Sequence, residues 1–277
     1  MRLGIAKNPE HQDPESWARA YSGAGYRAAV SPVKNDASDS VIQDYVCAAA
    51  AHDIVIAEVG AWSNPISPKA DVREAAITHC IRQLELSEKL GARCCVNIAG
   101  SRGEIWDGPD PDNFSDETFE MIVETTRHII DSVKPQRTTF ALETMPWVFP
   151  DTADSYLALV KAIDRKGISV HFDPVNMISS PRIYYKNGDM IRDFIAKLGP
   201  YITNCHAKDI RIASKLTVHL DEVLPGTGAL DYRTFLTELN KLDPNIPIII
   251  EHLPTDEDYA LAAAFVRKTA SELNIAL

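Results

Sequence analysis

Four residues able to ligate a cation stand at the ends of apolar runs in the second half of the chain. They are Glu143 in TTFALETMPW, Asp173 in ISVHFDPVN, His206 in YITNCHAKD and Glu251 in IPIIIEHLP. A charge directly after such a run is costly unless it has a partner. Any one of them alone is an ordinary helix cap or ion-pair partner. Four together, at the same end of neighbouring strands, point to a shared site. Three carboxylates and one imidazole, with no thiolate, suit a hard or borderline divalent cation: Mn²⁺ first, then Mg²⁺ or Co²⁺. Zn²⁺ is possible but less indicated by this donor set.

The elements that must present these residues are legible from hydrophobic periodicity. Strands are predicted at 2–6, 26–30, 53–59, 93–99, 138–143, 168–173, 201–206 and 246–251. Amphipathic segments lie between them, among them PESWARAYSGAG and KADVREAAITHCIRQLELSEKLGA, the latter closing on Gly91. SDETFEMIVETTRHIIDSVK opens on Ser115 as an N-cap without a full capping box, and LDYRTFLTELNKL and DEDYALAAAFVRKTASEL follow later. Eight strand–helix pairs of roughly 30 residues each are the arithmetic of a TIM (β/α)8 barrel. A doubly wound open sheet is the competitor, but no GxGxxG follows the first strand. No linker-like stretch divides residues 1–277, so one α/β domain is expected. In such a barrel the C-terminal strand ends carry the chemistry.

The bulk properties narrow the partners. A formal net charge of −11 argues against nucleic acid, whose phosphates call for a basic face. No apolar run is long enough to span a bilayer, and the opening MRLGIAKNPE does not read as a signal peptide. Five cysteines, two of them adjacent (Cys94 and Cys95), suit reduced thiols in a cytoplasm. A small-molecule substrate is the expected partner, with a homo-oligomer also compatible.

The set Glu143, Asp173, His206 and Glu251 resembles the metal tetrad of the xylose-isomerase-like barrels. That superfamily includes sugar-phosphate isomerases and epimerases, ketose 3-epimerases, inosose dehydratases and endonuclease IV repair enzymes. The LET-P-W after the fifth strand, the HAKD-R after the seventh and the later PGTGALDY resemble its sugar-acting members. The resemblance implies a metal-dependent isomerase or epimerase working through an enediolate, with Glu143 and Glu251 as the proton-transferring pair. A dehydratase or lyase acting on keto-sugars, keto-glycosides or inososes is implied by the same site. An endonuclease is disfavoured by the acidic charge and by the absence of the further histidines a multi-zinc centre needs.

Substrate contacts are expected from residues beside these ends. His171 shares the inward face of its strand with Asp173, and fits a ligand neighbour as well as a barrel-core histidine. Asn176 stands where the similar ketose 3-epimerases carry a histidine; it can bond a hydroxyl but cannot shuttle a proton near neutral pH. Lys208 and Arg211 follow His206, and Arg211 resembles the substrate-orienting arginine of the family. Trp62 and Trp147 suit stacking on a sugar face or core packing, and Glu58 or Asn97 suits a hydroxyl contact. Lys7 and Arg102 are candidates for an anionic group, and the PGTG at 225–228 either offers amides to an anion or makes a turn.

Overall fold

The structure is a computed structural model describing residues 1–277. The first half runs β1 (Arg2–Ile5), α1 (Pro14–Gly23), β2 (Ala28–Val30), α2 (Asp39–Ala51), β3 (Val55–Gly60), α3 (Ala70–Leu90), β4 (Cys94–Asn97) and α4 (Asp116–Val133). The second runs β5 (Phe140–Glu143), α5 (Ala153–Ile163), β6 (Ile168–Phe172), α6 (Pro181–Tyr184), α7 (Asn187–Leu198), β7 (Ile202–Ala207), β8 (Asp209–Ile212), β9 (Leu220–Val223), α8 (Tyr232–Leu239), β10 (Pro247–Ile250) and α9 (Asp256–Glu272). Eight parallel strands close in the order β1-β10-β7-β6-β5-β4-β3-β2, with Arg2–Ile5 opposite Pro247–Ile250 sealing the barrel. This is the TIM barrel expected from the sequence.

The strands read as continuous apolar runs because both faces are covered, the outer one by helices. Every residue of β4, β5, β6 and β10 is buried. Several helix ends carry the capping chemistry, although α3 and α7 start after Lys69 and Lys186 without a side-chain cap. Ser115 Oγ accepts the Thr118 amide at 3.1 Å, and Gly91 closes α3 with φ of 64°. Asp13 and Thr152 head α1 and α5 with reciprocal caps to Ser16 and Ser155.

Alternation along each strand decides what reaches the barrel interior. On β6, Phe172 points outward and stacks on Phe194 of α7, ring centroids 4.1 Å apart and 10° from parallel. His171 and Asp173 therefore point inward. The Tyr156 hydroxyl of α5 bonds the carbonyls of Leu142 and Ser169 and accepts the His171 amide at 3.3 Å, binding β5 to β6 just below the site.

The hairpin of β8 and β9 was not among the expected strands. Asp209–Ile212 pairs antiparallel with Leu220–Val223, outside the barrel and beside its mouth. Its outer face is exposed, so it lacks the apolar continuity that marks the barrel strands. Asp173 and Glu251 lie one residue past β6 and β10, at the turns rather than within the ladder.

Candidate metal centre

At the C-terminal mouth the four strand-end residues converge. One ligand atom from each of Glu143, Asp173, His206 and Glu251 lies within 4.8 Å of all the others, and all four residues are buried. His206 Nδ1 is 2.8 Å from Glu251 Oε1, 3.1 Å from Glu143 Oε1 and 3.9 Å from Asp173 Oδ2. The donor set fits a divalent ion. Asp173 Oδ2 and Glu251 Oε1 are buried without a well-directed hydrogen bond, although Lys208 Nζ is within ion-pair distance of both. Three carboxylates so close cannot all ionise easily without a cation. Burial, reinforced by Glu143 and Glu251 against the opposing Lys208, pushes the Asp173 carboxyl up to about 7. Burial works to raise Glu143 and Glu251 too, but His206 outweighs it and holds both below the usual carboxylate range.

The other imidazole nitrogen of His206 faces Glu58 at the inner end of β3. Nε2 lies 3.3 Å from Glu58 Oε2, which also accepts from Asn204 Nδ2. Burial opposes the charge on Glu58, yet His206 and His171 hold its carboxyl down at about 2. With a cation in the cluster, a carboxylate accepting from Nε2–H would leave the Nδ1 lone pair free to ligate it, fixing both tautomer and ring orientation. Glu58→Gln is therefore expected to weaken Mn²⁺ binding about 10- to 100-fold. Calorimetric titration of the metal-free variant checks this, and affinity equal to the native chain's would contradict it. Alternation alone would turn Glu58 outward with Ile56, since Ala57 is the interior residue; the register irregularity between β2 and β3 brings Glu58 inward, and the strand pattern does not reveal it.

His171 lies beneath His206, ring centroids 4.0 Å apart, fully buried, with Nε2 3.3 Å from Glu58 Oε2. It does not line the cavity above the cluster. Asn176 does: its Nδ2 donates to Glu143 Oε1 at 3.2 Å and its Oδ1 accepts from Lys208 Nζ at 3.0 Å. Lys208 is 3% exposed, and its ammonium also lies 2.7 Å from Asp173 Oδ2 and 3.1 Å from both Glu222 Oε1 and Glu251 Oε1. Burial alone would discharge it, but these carboxylates dominate and keep it protonated.

The cavity, about 1290 Å³, is lined by Glu58, Trp62, Trp147, Asn176 and Lys208 of the expected contacts, and also by Trp106. The Trp147 indole N–H is buried without a partner. Trp62 can lie over the end of β3 because residue 60 is glycine; a Cβ there would collide with the indole nitrogen.

Like His171, the expected contacts Asn97, Arg211, Lys7 and Arg102 are not brought to the cavity. Val96 is inward on β4, so Asn97 points outward, bonded to Ser63 and to Cys80 of α3. Arg211 is exposed on β8 and donates to the Thr227 carbonyl. The amides of the PGTG turn do meet an anion, but it is internal: Asp209 Oδ2 accepts Gly226 N at 2.9 Å and Gly228 N at 3.0 Å. Lys7 pairs with Asp256, and Arg102 donates to the Ile66 carbonyl, so neither faces the cavity.

Glu222 and His252 line the cavity although neither was expected to. His252 turns the chain after Glu251 with φ of 59°, and its Nδ1 lies 3.0 Å from Glu222 Oε2. The hairpin that carries Glu222 was the missing element, so this contact was out of reach of the strand pattern.

An eight-stranded parallel barrel with four metal-competent side chains at the C-terminal strand ends defines a class of site. Residues 18–269 match the family model described as xylose isomerase-like TIM barrel, and the chain belongs to that family. Among solved structures it is similar to endonuclease IV from Thermus thermophilus, with TM-score 0.75, 14% identity, and coverage of 98% of this chain and 100% of that one. It is also similar to a D-tagatose 3-epimerase-like protein, with TM-score 0.74, 18% identity and coverage of 99% and 98%. A D-psicose 3-epimerase crystallised with D-fructose gives TM-score 0.69, 18% identity and coverage of 97% and 99%. At these identities the likeness is one of fold. No curated protein sequence matches the chain. No helix is long and apolar enough to cross a membrane.

Proposed function

We propose that the protein is a divalent-metal-dependent isomerase or epimerase that moves a proton next to the carbonyl of an uncharged keto-sugar. The observation that carries this is the pair Glu143 and Glu251, two buried carboxylates from different strands of the barrel that both reach His206 Nδ1, at 3.1 and 2.8 Å. Glu143, Asp173, His206 and Glu251 would hold the ion, most fittingly Mn²⁺ among the metals this donor set accepts. When bound, such an ion polarises a carbonyl and stabilises negative charge developing on its oxygen.

The remaining chemistry belongs to the chain. Two ionised, buried carboxylates can serve as bases on opposite sides of one carbon, one removing a proton and the other returning it. Return to the opposite face of the same carbon inverts it; return to the neighbouring carbon isomerises. Asn176 holds Glu143 in place through Nδ2, and Trp147 offers its unpartnered indole N–H to a hydroxyl. The apolar walls from Trp62, Trp106 and Trp147 suit the faces of a sugar ring.

An uncharged substrate is favoured over a sugar phosphate. Five carboxylates line the cavity (Glu58, Asp107, Glu143, Glu222 and Glu251) against the ammonium groups of Lys34 and Lys208, and Lys208 is already engaged by carboxylates. The test is a panel of free ketoses, keto-glycosides and ketose phosphates, offered to the Mn²⁺-loaded protein with products read by NMR. Turnover to an epimer or isomer of a neutral sugar supports the reading. Preference for the phosphates overturns the substrate class, and an unsaturated or cleaved product assigns the dehydratase or lyase outcome instead.

A further inference from the structure

The Lys208 ammonium occupies a cage of four oxygens that looks like the surroundings of a metal ion. Asp173 Oδ2 lies at 2.7 Å, Asn176 Oδ1 at 3.0 Å, and Glu222 Oε1 and Glu251 Oε1 at 3.1 Å. Asp173 Oδ2 and Glu251 Oε1 belong to the tetrad, receive no well-directed hydrogen bond, and meet the ammonium as a charge rather than as a donor. The other two come from the turn after β6 and from the β8–β9 hairpin. We propose that Lys208 is a built-in cation that takes the place of a second divalent ion and limits the centre to one metal. This rests on the reading of the tetrad as a metal site.

Electrostatics and geometry both support the assignment. Glu143, Asp173, Glu222 and Glu251 place four carboxylates around the centre, more negative charge than one divalent ion offsets. Lys208 neutralises part of the surplus from a position that is 3% exposed, its ammonium ringed by these four oxygens. If the charge were deleted, the same oxygens would attract another cation. They would have to close from hydrogen-bond distances to the roughly 2.0–2.6 Å of metal–oxygen bonds, a movement available to Glu222 on its partly exposed hairpin. The functional consequence is a choice of chemistry. Centres with two adjacent metals clamp the attacking and leaving oxygens of phosphoryl transfer, whereas enolisation needs only one electrophile. A fixed ammonium at the second position would therefore turn a fold shared with an endonuclease away from phosphodiester hydrolysis.

The test is metal stoichiometry. The full chain is stripped with a chelator, titrated with Mn²⁺ by calorimetry up to millimolar concentration, and analysed for metal content and electron paramagnetic resonance. The native chain is expected to bind one ion. Lys208→Met is expected to bind two, with the spin coupling of neighbouring Mn²⁺ ions, and Lys208→Met combined with Glu222→Gln is expected to return to one. A native chain that takes up two neighbouring ions, or a folded Lys208→Met that binds only one, overturns the proposal. A native chain that binds none overturns the tetrad reading instead. If Lys208→Met loses its circular-dichroism signature, Lys208→Gln carries the same comparison. If both unfold, the native titration decides: a single ion supports the proposal and a coupled pair refutes it.

Discussion

Glu251→Gln and Glu143→Gln each lower turnover by about 10²- to 10⁴-fold, the usual worth of a positioned base. Glutamine preserves shape and retains one oxygen able to ligate, but it cannot accept the substrate proton. The two carboxylates are not interchangeable in their surroundings. Glu143 is held by Asn176 Nδ2, while Glu251 lies beside Lys208 and within 3.6 Å of the His252 ring. Each should thus serve one face of the substrate, so each variant should lose one direction of proton exchange more than the other. The double variant should be little worse than the weaker single one, because the two residues act as a unit. Steady-state rates at saturating Mn²⁺, with metal content measured alongside, separate loss of a base from loss of a ligand. Near-native turnover in either fully loaded variant would remove that carboxylate from the mechanism.

Phe172→Ala is expected to cost about 3–5 kcal/mol, the range for truncating a buried aromatic ring. Its ring is fully buried, stacked on Phe194 and edge-on to Phe235 at 5.9 Å, so the cavity left behind opens between β6 and the helices α7 and α8. Against a typical total of roughly 5–15 kcal/mol, that is a large share of the folding free energy. The effect should reach the site, because Asp173 is the next residue and its orientation depends on Phe172 staying outward. Urea unfolding of the metal-free chain gives the stability change, and a loss below about 1 kcal/mol would show that the pocket collapses around the smaller side chain. A drop in Mn²⁺ affinity measured on the same variant links the core to the ligand.

The barrel and the convergence of the tetrad were legible because they follow from period and parity. An inward residue at the end of each apolar strand has only one place to go, the mouth, and Glu143, Asp173, His206 and Glu251 all meet there. Asn97 fails by the same rule, since its inward neighbour is Val96 and a single step along the strand reverses the face. Arg211 alternates likewise with the buried Ile210 and ends up on the solvent side of a hairpin. That hairpin was hard to read because short, half-exposed strands with charged residues carry little hydrophobic pattern. The Asp209 carboxylate gathers the PGTG turn, an arrangement that depends on a contact across nearly twenty residues. The role of Glu58 also needed the third dimension, because its partner His206 is four barrel strands away around the ring.

The central claim is that these four strand ends hold one divalent ion and enolise a neutral keto-sugar. Solvent-deuterium exchange tests it most directly: the protein is incubated in D₂O with the ketose and keto-glycoside panel, with and without Mn²⁺, and proton NMR follows the carbon next to the carbonyl. Loss of that proton's signal is expected with the loaded native chain, and its retention with the metal-stripped chain. Exchange that proceeds equally without metal, or no exchange on any member of the panel by a fully loaded chain, would contradict it.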